Sequence, residues 1–410
     1  MVVIPANAGI HFGLRIYKRG PVPLATIDVP TGRVMIEEPL CHTRRGSIVW
    51  SRGTTRPAGL RVAGAAIRPP PSRSLVDSLD QVLADRELRT ALAGGLDAEP
   101  TPTALALGNA IAAAFGPVAL AVIHYGSHAQ RSDARPDSAH DFFVIVERYH
   151  DAYLSLTSTV DTSVGPRTAV WLANVLAPNI HAIKEPEGRK GRSKCAVLTL
   201  RGLQLAARME TADHFTQGRL FQHVQLLWSR DEHSLEEVRS ALTEMRIRTF
   251  QWGQPFLPES FDAETYCKVL LETSFSAEVR PEGDDRVVQL LDAQRSSLLP
   301  VYSALLDGLA RHGILQHAAD GYRQVNFPAL AERKKRQRYF RISKARGTVR
   351  WAKHIALYDG WLDYVVQKIA RRSGVAVELT ERERRWPFIF LWPKAILFLR
   401  TRPQQRRMKK

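Results

Sequence analysis

A glycine and a serine after one apolar segment, and an aspartate that opens another, are the residues best suited to chemistry. Gly126 and Ser127 follow the apolar run 118–123. Asp141 lies fourteen residues after Ser127 and opens the run Phe142–Val146. Glycine lets a backbone approach a phosphate closely, and a serine hydroxyl can donate to its oxygens. Because a carboxylate on the adjacent strand can hold Mg²⁺ against those oxygens, the spacing indicates phosphoryl or nucleotidyl transfer.

Short apolar runs and helical patterns must position these residues. Strands are predicted at 118–123, Phe142–Val146, Cys195–Leu200 and Val224–Trp228. Helices are predicted over 75–92, over Ala104–Phe115, from Ser234 with Glu237 completing a capping box, and over most of Ala263–Gly313. This pattern predicts an α+β fold, with a mixed sheet and flanking helices followed by a helical domain.

Composition narrows the class of protein. The 410 residues include 58 Lys and Arg against 41 Asp and Glu, a formal charge of +17, and 44% are hydrophobic. Such a chain is neither disordered overall nor fibrous and is long enough for two or three packed units. Three cysteines without a C-x-x-C pair argue against a disulfide framework and a cysteine-based zinc site. No apolar run reaches the roughly 20 residues of a membrane span. The charge favours a polyanionic partner: nucleic acid, an anionic membrane or a nucleotide.

Shifts in composition divide the chain into four parts. We expect a poorly ordered basic extension over 1–74, a catalytic domain over 75–232, a helical domain over 233–330 and a basic, membrane-facing segment over 331–410. The run Arg333–Arg338 is typical of a solvated helix face, and it lacks the interleaved aromatics of a nucleic-acid module.

The C-terminal segment combines an apolar, aromatic stretch with a dense cationic tail. Fourteen residues from Trp386 to Leu399, interrupted by two prolines and a lysine, cannot cross a bilayer. They can lie in its interface, with the cations on anionic lipid. The predicted membrane-binding residues are Trp386, Trp392, Arg400, Arg402, Arg406 and Arg407. The alternative is a helix packed on the core with a solvated tail.

Gly-Ser, a spacer and an aspartate leading an apolar strand resemble the signature of the DNA polymerase beta-type nucleotidyltransferase superfamily. Its members normally carry Asp-x-Asp at this strand, and Ala139 stands at the first of those positions, leaving Asp141. Asp137 and Glu147 are candidate substitutes for the missing carboxylate. Glu147 lies about 20 Å further along the strand. Asp137 is therefore the better partner for Asp141 in catalysis and metal binding.

Further motifs resemble a narrower family, the mitochondrial translocator-maintenance phosphatidate cytidylyltransferases, which are peripheral CDP-diacylglycerol synthases. The motifs, in the family's order over about half of the chain, are Tyr125-Gly126-Ser127, Asp141-Phe142-Phe143, Trp171, Asn174, Asn179, His181, Lys194-Cys195-Ala196-Val197, Gly218-Arg219-Leu220, Glu278-x-Arg280-Pro281, Gln294 and Tyr302. The second glycine of the family's motif is His128 here, and the Asn and His spacing is shifted by about a residue.

The resemblance implies a magnesium-dependent enzyme of phospholipid biosynthesis that transfers CMP from CTP to phosphatidic acid. It implies nucleotide binding by Tyr125, Gly126, Ser127, Asn179, His181, Lys194 and Arg219. Lys194 and Arg219 would clamp the triphosphate. The expected partners are CTP, phosphatidic acid and an anionic membrane surface, with no nucleic acid. The expected location is the cytoplasmic face of a bacterial inner membrane or, alternatively, the matrix side of the mitochondrial inner membrane.

Two other functions agree with the same residues. One is a nucleotidyltransferase with a soluble acceptor, which would share every catalytic residue. The other is a catalytically inactive homologue that binds nucleotide or membrane, and Ala139 favours it.

Overall fold

A six-stranded mixed sheet with helices on both faces holds the residues singled out above. The computed structural model describes residues 74–130, 139–156, 160–161, 164–183, 193–277, 285–357 and 379–385. The extension 1–73, Asp137, the segment 278–284 and the six predicted membrane-binding residues lie outside this part. The described residues form an α+β protein.

The sheet mixes parallel and antiparallel neighbours. Its strands are β1 (Ala119–Tyr125), β2 (His140–Val146), β3 (Val160–Asp161), β4 (Asn179–Ile183), β5 (Ser193–Thr199) and β6 (Gln225–Ser229). They lie in the order β3-β4-β5-β2-β1-β6, and the β2–β5 pair is parallel while the other pairs are antiparallel. The four predicted strands are confirmed within two residues at each end. The sequence missed β3 and β4, which are short and carry no continuous apolar run.

The first part of the described chain contains nine helices, which precede, separate and follow the strands of this sheet. They are α1 (Leu75–Leu83), α2 (Arg86–Ala93), α3 (Pro102–Phe115), α4 (Ser127–Gln130), α5 (Tyr149–Leu154), α6 (Pro166–Val175), α7 (Leu200–Ala207), α8 (Gln217–Leu220) and α9 (Glu232–Ile247). The helix predicted over 75–92 is two helices, because Asp85 interrupts it and accepts a hydrogen bond from the Leu88 amide at 3.0 Å.

Each face of the sheet has its own core. On one face, which we call the Asp141 face, Ile123, Phe143 and Leu198 pack with residues of α7 and α9. On the opposite face, Phe142 and Val197 pack with residues of α3, α5 and α6. Successive residues of a strand point to opposite faces, so burial on both faces explains why these strands are apolar throughout.

The predicted start of α9 at Ser234 is wrong. The helix begins at Glu232, and Asp231 is its N-cap, accepting a hydrogen bond from the Ser234 amide at 2.7 Å. Aspartate is as good an N-cap residue as serine. Ser234 instead lies buried within the first turn of the helix.

The sequence predicts a helical domain over 233–330, and the structure adds a small sheet to the helices there. The helices of the second half of the described chain are α10 (Thr249–Gly253), α11 (Ala263–Ser276), α12 (Asp285–Arg311), α13 (Leu330–Leu357) and α14 (Glu381–Arg385). A small antiparallel sheet, ordered β7-β9-β8, joins β7 (Ser260–Phe261), β8 (Leu315–Ala318) and β9 (Gly321–Gln324).

One hydrophobic core contains residues from both sides of the predicted domain boundaries at 232 and 330. Leu79 of α1 and Leu88 of α2 belong to the same core as Leu305 of α12 and Phe340 of α13. The first two helices of the described chain, α1 and α2, therefore belong to the helical core, and the strands of the six-stranded sheet follow them. The helix α13 contacts both parts: Phe340 lies in the helical core, and His354 Nδ1 lies 2.9 Å from the Ile180 carbonyl oxygen on β4.

Candidate functional site

The turn after β1 and the first residues of β2 meet on the Asp141 face. Tyr125 and Asp141 are direct cross-strand partners, and Gly126 follows with a φ of +81°. A β-carbon on Gly126 would lie 2.8 Å from Asp141 Oδ2 and 3.3 Å from its Cβ. The Asp141 carboxylate therefore occupies the space that a side chain at 126 would fill. Only glycine meets both the backbone conformation and this close approach.

A cation lies beside this carboxylate on the next strand. Lys194 of β5 is in register with Asp141 in the parallel β2–β5 pair. Register partners point to the same face, and neighbouring strands are about 4.8 Å apart. Both side chains are half-buried. Tyr125, Asp141 and Lys194 therefore form a row across three strands, with Ser127 one residue beyond the turn glycine.

A second cationic group reaches the same face from α8. Arg219 donates to the Phe215 carbonyl at 2.9 Å, and its guanidinium carbon lies 3.7 Å from the Phe215 ring centroid. Phe215 packs edge-on against Phe143, two residues along β2 from Asp141, with ring centroids 6.3 Å apart. Arg219 is thus held on the Asp141 face through an aromatic contact.

A second guanidinium, that of Arg350 on α13, packs against the ring of Phe215. Arg350 lies 4.4 Å from the Phe215 ring centroid and donates to Asp213 Oδ2 at 2.7 Å. Arg346 donates to the same oxygen at 3.0 Å. Burial alone would raise the pKa of Asp213, but Arg350, Arg346 and the Phe215 amide outweigh it and leave the pKa below its usual value. Asp213 is therefore ionised and ties α13 to this face.

Sequence reasoning missed Asp213, Phe215 and Arg350. Arg350 is 137 residues away from Asp213 in the sequence, and the three residues belong to no recognisable spacing. Their only sequence signal is that Asp213 and Phe215 stand shortly before the Gly218-Arg219-Leu220 motif.

The structure does not bring Asn179 and His181 together with Asp141. In the β4–β5 pairing His181 is the partner of Cys195, which lies on the opposite face. Asn179 donates to the Ala169 carbonyl at 2.8 Å, and His181 Nε2 lies 3.3 Å from the Tyr153 hydroxyl. Both side chains are fully buried. They brace β4 against α5 and α6 rather than line the site on the Asp141 face.

A lysine of α13 completes that brace. Lys353 Nζ donates to Asn179 Oδ1 at 2.8 Å, to the Pro178 carbonyl at 3.1 Å and to the carbonyl of Leu176, the C-cap residue of α6. Burial, with a smaller contribution from Arg350, lowers the pKa of Lys353 to about 7. Lys353 thus fixes the second half of α13 to the end of α6.

Histidines cluster behind the turn. His140 Nδ1 lies 3.2 Å from His124 Nε2, and the His128 ring stacks on His140 with centroids 3.8 Å apart. Burial, together with His128 and His124, lowers the pKa of His140 to about 4. Burial also lowers the pKa of His124. His124 and His140 are therefore neutral at pH 7. His128, which stands at the second glycine position of the family's motif, packs in this cluster.

A divalent cation would depend on few protein ligands here. In the described part of the chain no group of three or more His, Cys, Asp or Glu residues could hold a metal ion. Glu147 follows the far end of β2, 3.5 Å from Arg230, and does not share a site with Asp141. Mg²⁺ typically takes one or two carboxylates and completes its shell with water and substrate phosphate. The half-buried Asp141 carboxylate, packed on Gly126 with Ser127 as the next residue, fits that pattern.

No known family model matches the chain, and no curated protein matches it. Among the described residues, no helix is long and apolar enough to cross a membrane.

Proposed function

We propose that the chain is a phosphatidate cytidylyltransferase, a nucleotidyltransferase that converts CTP and phosphatidic acid to CDP-diacylglycerol and pyrophosphate. The observation that carries the proposal is the Asp141 carboxylate packed on Gly126, with Lys194 in register beside it. A close-approach glycine, a carboxylate and a cation on one face are what a nucleoside triphosphate and its metal require. The choice of CTP and phosphatidic acid depends on the ordered motifs that resemble the cytidylyltransferase family.

The residues suggest roles in an in-line displacement. An oxygen of the phosphatidate phosphomonoester attacks the α-phosphorus of CTP, the bond from that phosphorus to the bridging oxygen breaks, and pyrophosphate leaves with the bond electrons. Gly126 and Ser127 hold the β- and γ-phosphates. Lys194 and Arg219 offset the charge that develops on the phosphates.

Magnesium would supply charge neutralisation between Asp141 and the triphosphate. Asp141 is the described residue that would hold it, and Asp137 stays a prediction for the second carboxylate. Asn179 and His181 have no role in this proposal, because they lie on the opposite face of the sheet.

The test measures transfer to lipid with the full chain, Mg²⁺, radiolabelled CTP or ATP, and liposomes with or without phosphatidic acid. We expect labelled CDP-lipid only with CTP and phosphatidic acid. Asp141→Asn should reduce the rate by at least about 100-fold, the scale seen when a single stabilising group is lost from a transition state. Asp320→Asn, at an exposed position in the turn between β8 and β9, is the control and should retain the wild-type rate.

Other outcomes identify the alternatives. CTP consumed without labelled lipid would exclude phosphatidic acid as the acceptor and favour a soluble acceptor. Nucleotide binding without turnover, unchanged by Asp141→Asn, would support a catalytically inactive homologue. Ala139, directly before β2, is the observation that favours that second candidate.

A further inference from the structure

An exposed apolar loop precedes α13. Val325 and Phe327 in this loop are 42% and 61% exposed, and Leu330, the first residue of α13, is 66% exposed; we call the three residues together the loop. Of the eleven large apolar side chains exposed in the described part of the chain, five lie between residues 325 and 349. Isolated exposed apolar residues need no explanation, but Val325, Phe327 and Leu330 lie within six residues of one another and form an exposed apolar patch suited to an apolar contact.

A row of exposed cations follows this loop along α13. The first half of α13 exposes Arg333, Lys334, Lys335, Arg338, Arg341 and Lys344. The acid in this stretch, Glu332, is paired with Arg336 at 3.0 Å and with Lys335 at 3.5 Å. The surface therefore combines a strong positive charge with exposed apolar groups.

A cleft of about 610 Å³ opens beside the loop, between α11 and α13. Phe256, Val269 and Phe340 form its apolar walls, and Arg333, Arg341 and Lys344 supply its cations. Glu272 also lines the cleft, 4.0 Å from Lys268.

The loop and the cleft are joined by a hydrogen bond. Gln254 donates to the Asn326 carbonyl at 3.0 Å, and Phe256 of the cleft wall is two residues from Gln254. The exposed loop is thus fixed at the edge of the cleft rather than remote from it.

We propose that the cleft and loop bind the surface of a bilayer that contains acidic phospholipid. The headgroup phosphate lies in the cleft among Arg333, Arg341 and Lys344, and Phe327 and Leu330 enter the interfacial layer beside it. Cations with adjacent aromatic and aliphatic groups are the combination that anionic bilayers select. A nucleic acid would gain nothing from Leu330 or the apolar cleft wall, so the surface fits lipid better.

This surface is distinct from the predicted tail contact at residues 386–407. The inference deepens the proposed function, since a lipid acceptor is reached at a bilayer. Binding is nevertheless measured without CTP, on a lipid that is not the proposed acceptor, so the two proposals can fail separately.

The experiment measures binding of the full chain to vesicles of phosphatidylcholine alone and of phosphatidylcholine mixed with phosphatidylglycerol. The wild type should bind only the mixed vesicles. Arg341→Gln with Lys344→Gln should weaken that binding about 30-fold, the effect of two cations near an anionic surface. Phe327→Ser should weaken it about 10-fold through lost apolar contact.

Matched controls use equally exposed residues elsewhere. Arg86→Gln with Arg201→Gln removes the same charge, and Leu154→Ser, at a side chain 60% exposed, removes an apolar group. Both controls should bind like the wild type, and thermal unfolding confirms that every variant is folded. Equal binding by the cleft variant and its control would overturn the inference. Duplex DNA or RNA binding that depends on Arg341 and Lys344, with vesicle binding unaffected, would assign the surface to nucleic acid instead.

If vesicle binding behaves as expected but no labelled CDP-lipid forms, the proposed function fails and this surface stands. If lipid is labelled but the cleft variants bind phosphatidylglycerol vesicles normally, the inference about this surface fails and the proposed function stands.

Discussion

Two constraints require glycine at position 126: the backbone conformation and the close approach of the Asp141 carboxylate. The two can be separated by experiment. The φ of +81° at Gly126 disfavours any side chain, and the Asp141 carboxylate fills the position of a β-carbon. Gly95, in the turn after α2, has the same φ of +81° but nothing within 4 Å of a β-carbon. Comparing substitutions at Gly95 and Gly126 therefore distinguishes the effect of backbone strain from that of displacing the Asp141 carboxylate.

We predict that Gly95→Ala lowers the free energy of unfolding by about 1 kcal/mol, the cost of a left-handed backbone for alanine. Gly126→Ala should cost more, because Asp141 must also move, and it should abolish CTP binding measured by calorimetry. Gly95→Ala should bind CTP like the wild type. Unimpaired CTP binding by a folded Gly126→Ala protein would show that the packed carboxylate is not part of the nucleotide site.

Single residues were only partly predictable from the sequence. Gly126 and Ser127 follow one apolar run and Asp141 opens the next, and the antiparallel pairing of the two runs places Gly126 beside Asp141. The face on which Asn179 and His181 lie depends on the register of β4 against β5. A shift of one residue would move every side chain of a strand to the other face, and no local pattern fixes that register.

Among the elements, α13 differs between its two halves in how its cations are placed. Its first half exposes cations. This agrees with the sequence-based interpretation of Arg333–Arg338 as a solvated helix face. Its second half buries Arg350 against Asp213 and Lys353 against the end of α6. Sequence composition could not separate these halves, because a buried cation and an exposed one have the same residue type and differ only in their distant partners.

The Asp213–Arg350 pair predicts a large loss of stability when one partner is removed. Arg350→Ala should lower the free energy of unfolding by about 3 kcal/mol, because Asp213 would stay buried with Arg346 as its remaining cation. Arg338→Ala, at an exposed position of the same helix, should change it by less than about 0.5 kcal/mol. Urea unfolding measures both. Equal effects of the two substitutions would mean that the pair does not hold α13.

The same pair has a pH dependence. The pKa of Asp213 is lowered in the folded protein, so its stabilisation is fully present above about pH 4, the ordinary aspartate range. It is lost as the pH falls through the lower folded-state pKa. Asp213→Asn should remove this part of the acid dependence while leaving the dependence above pH 5 unchanged.

At the scale of the whole molecule, the domain boundaries were the least predictable feature. The apolar faces of α1 and α2 are visible in the sequence, but nothing local shows whether they pack on the sheet or on helices two hundred residues later. The structure places Leu79 and Leu88 with Leu305 and Phe340. The predicted boundary at 232 follows chain order, whereas the cores follow contacts between distant segments.

The histidine cluster and the net charge together predict that the protein loses stability at mildly acidic pH. The pKa values of His124, His140 and His223 are lowered in the folded protein, mainly by burial, and that of His140 is about 4. Between about pH 4 and the ordinary histidine pKa of about 6.5, the unfolded chain binds more protons than the folded one. Protonation also adds positive charge to a chain that already carries +17.

The free energy of unfolding should therefore fall as the pH decreases from about 6.5 towards 4, and urea unfolding at a series of pH values measures the slope. His140→Asn should flatten this slope, because the substituted side chain does not titrate and its part of the proton uptake disappears. His233→Asn, on the exposed surface of α9, is the control and should leave the slope as it is. A slope that His140→Asn leaves intact would mean that His140 is already protonated in the folded protein at these pH values, and that its packing against His124 and His128 does not exclude the charge.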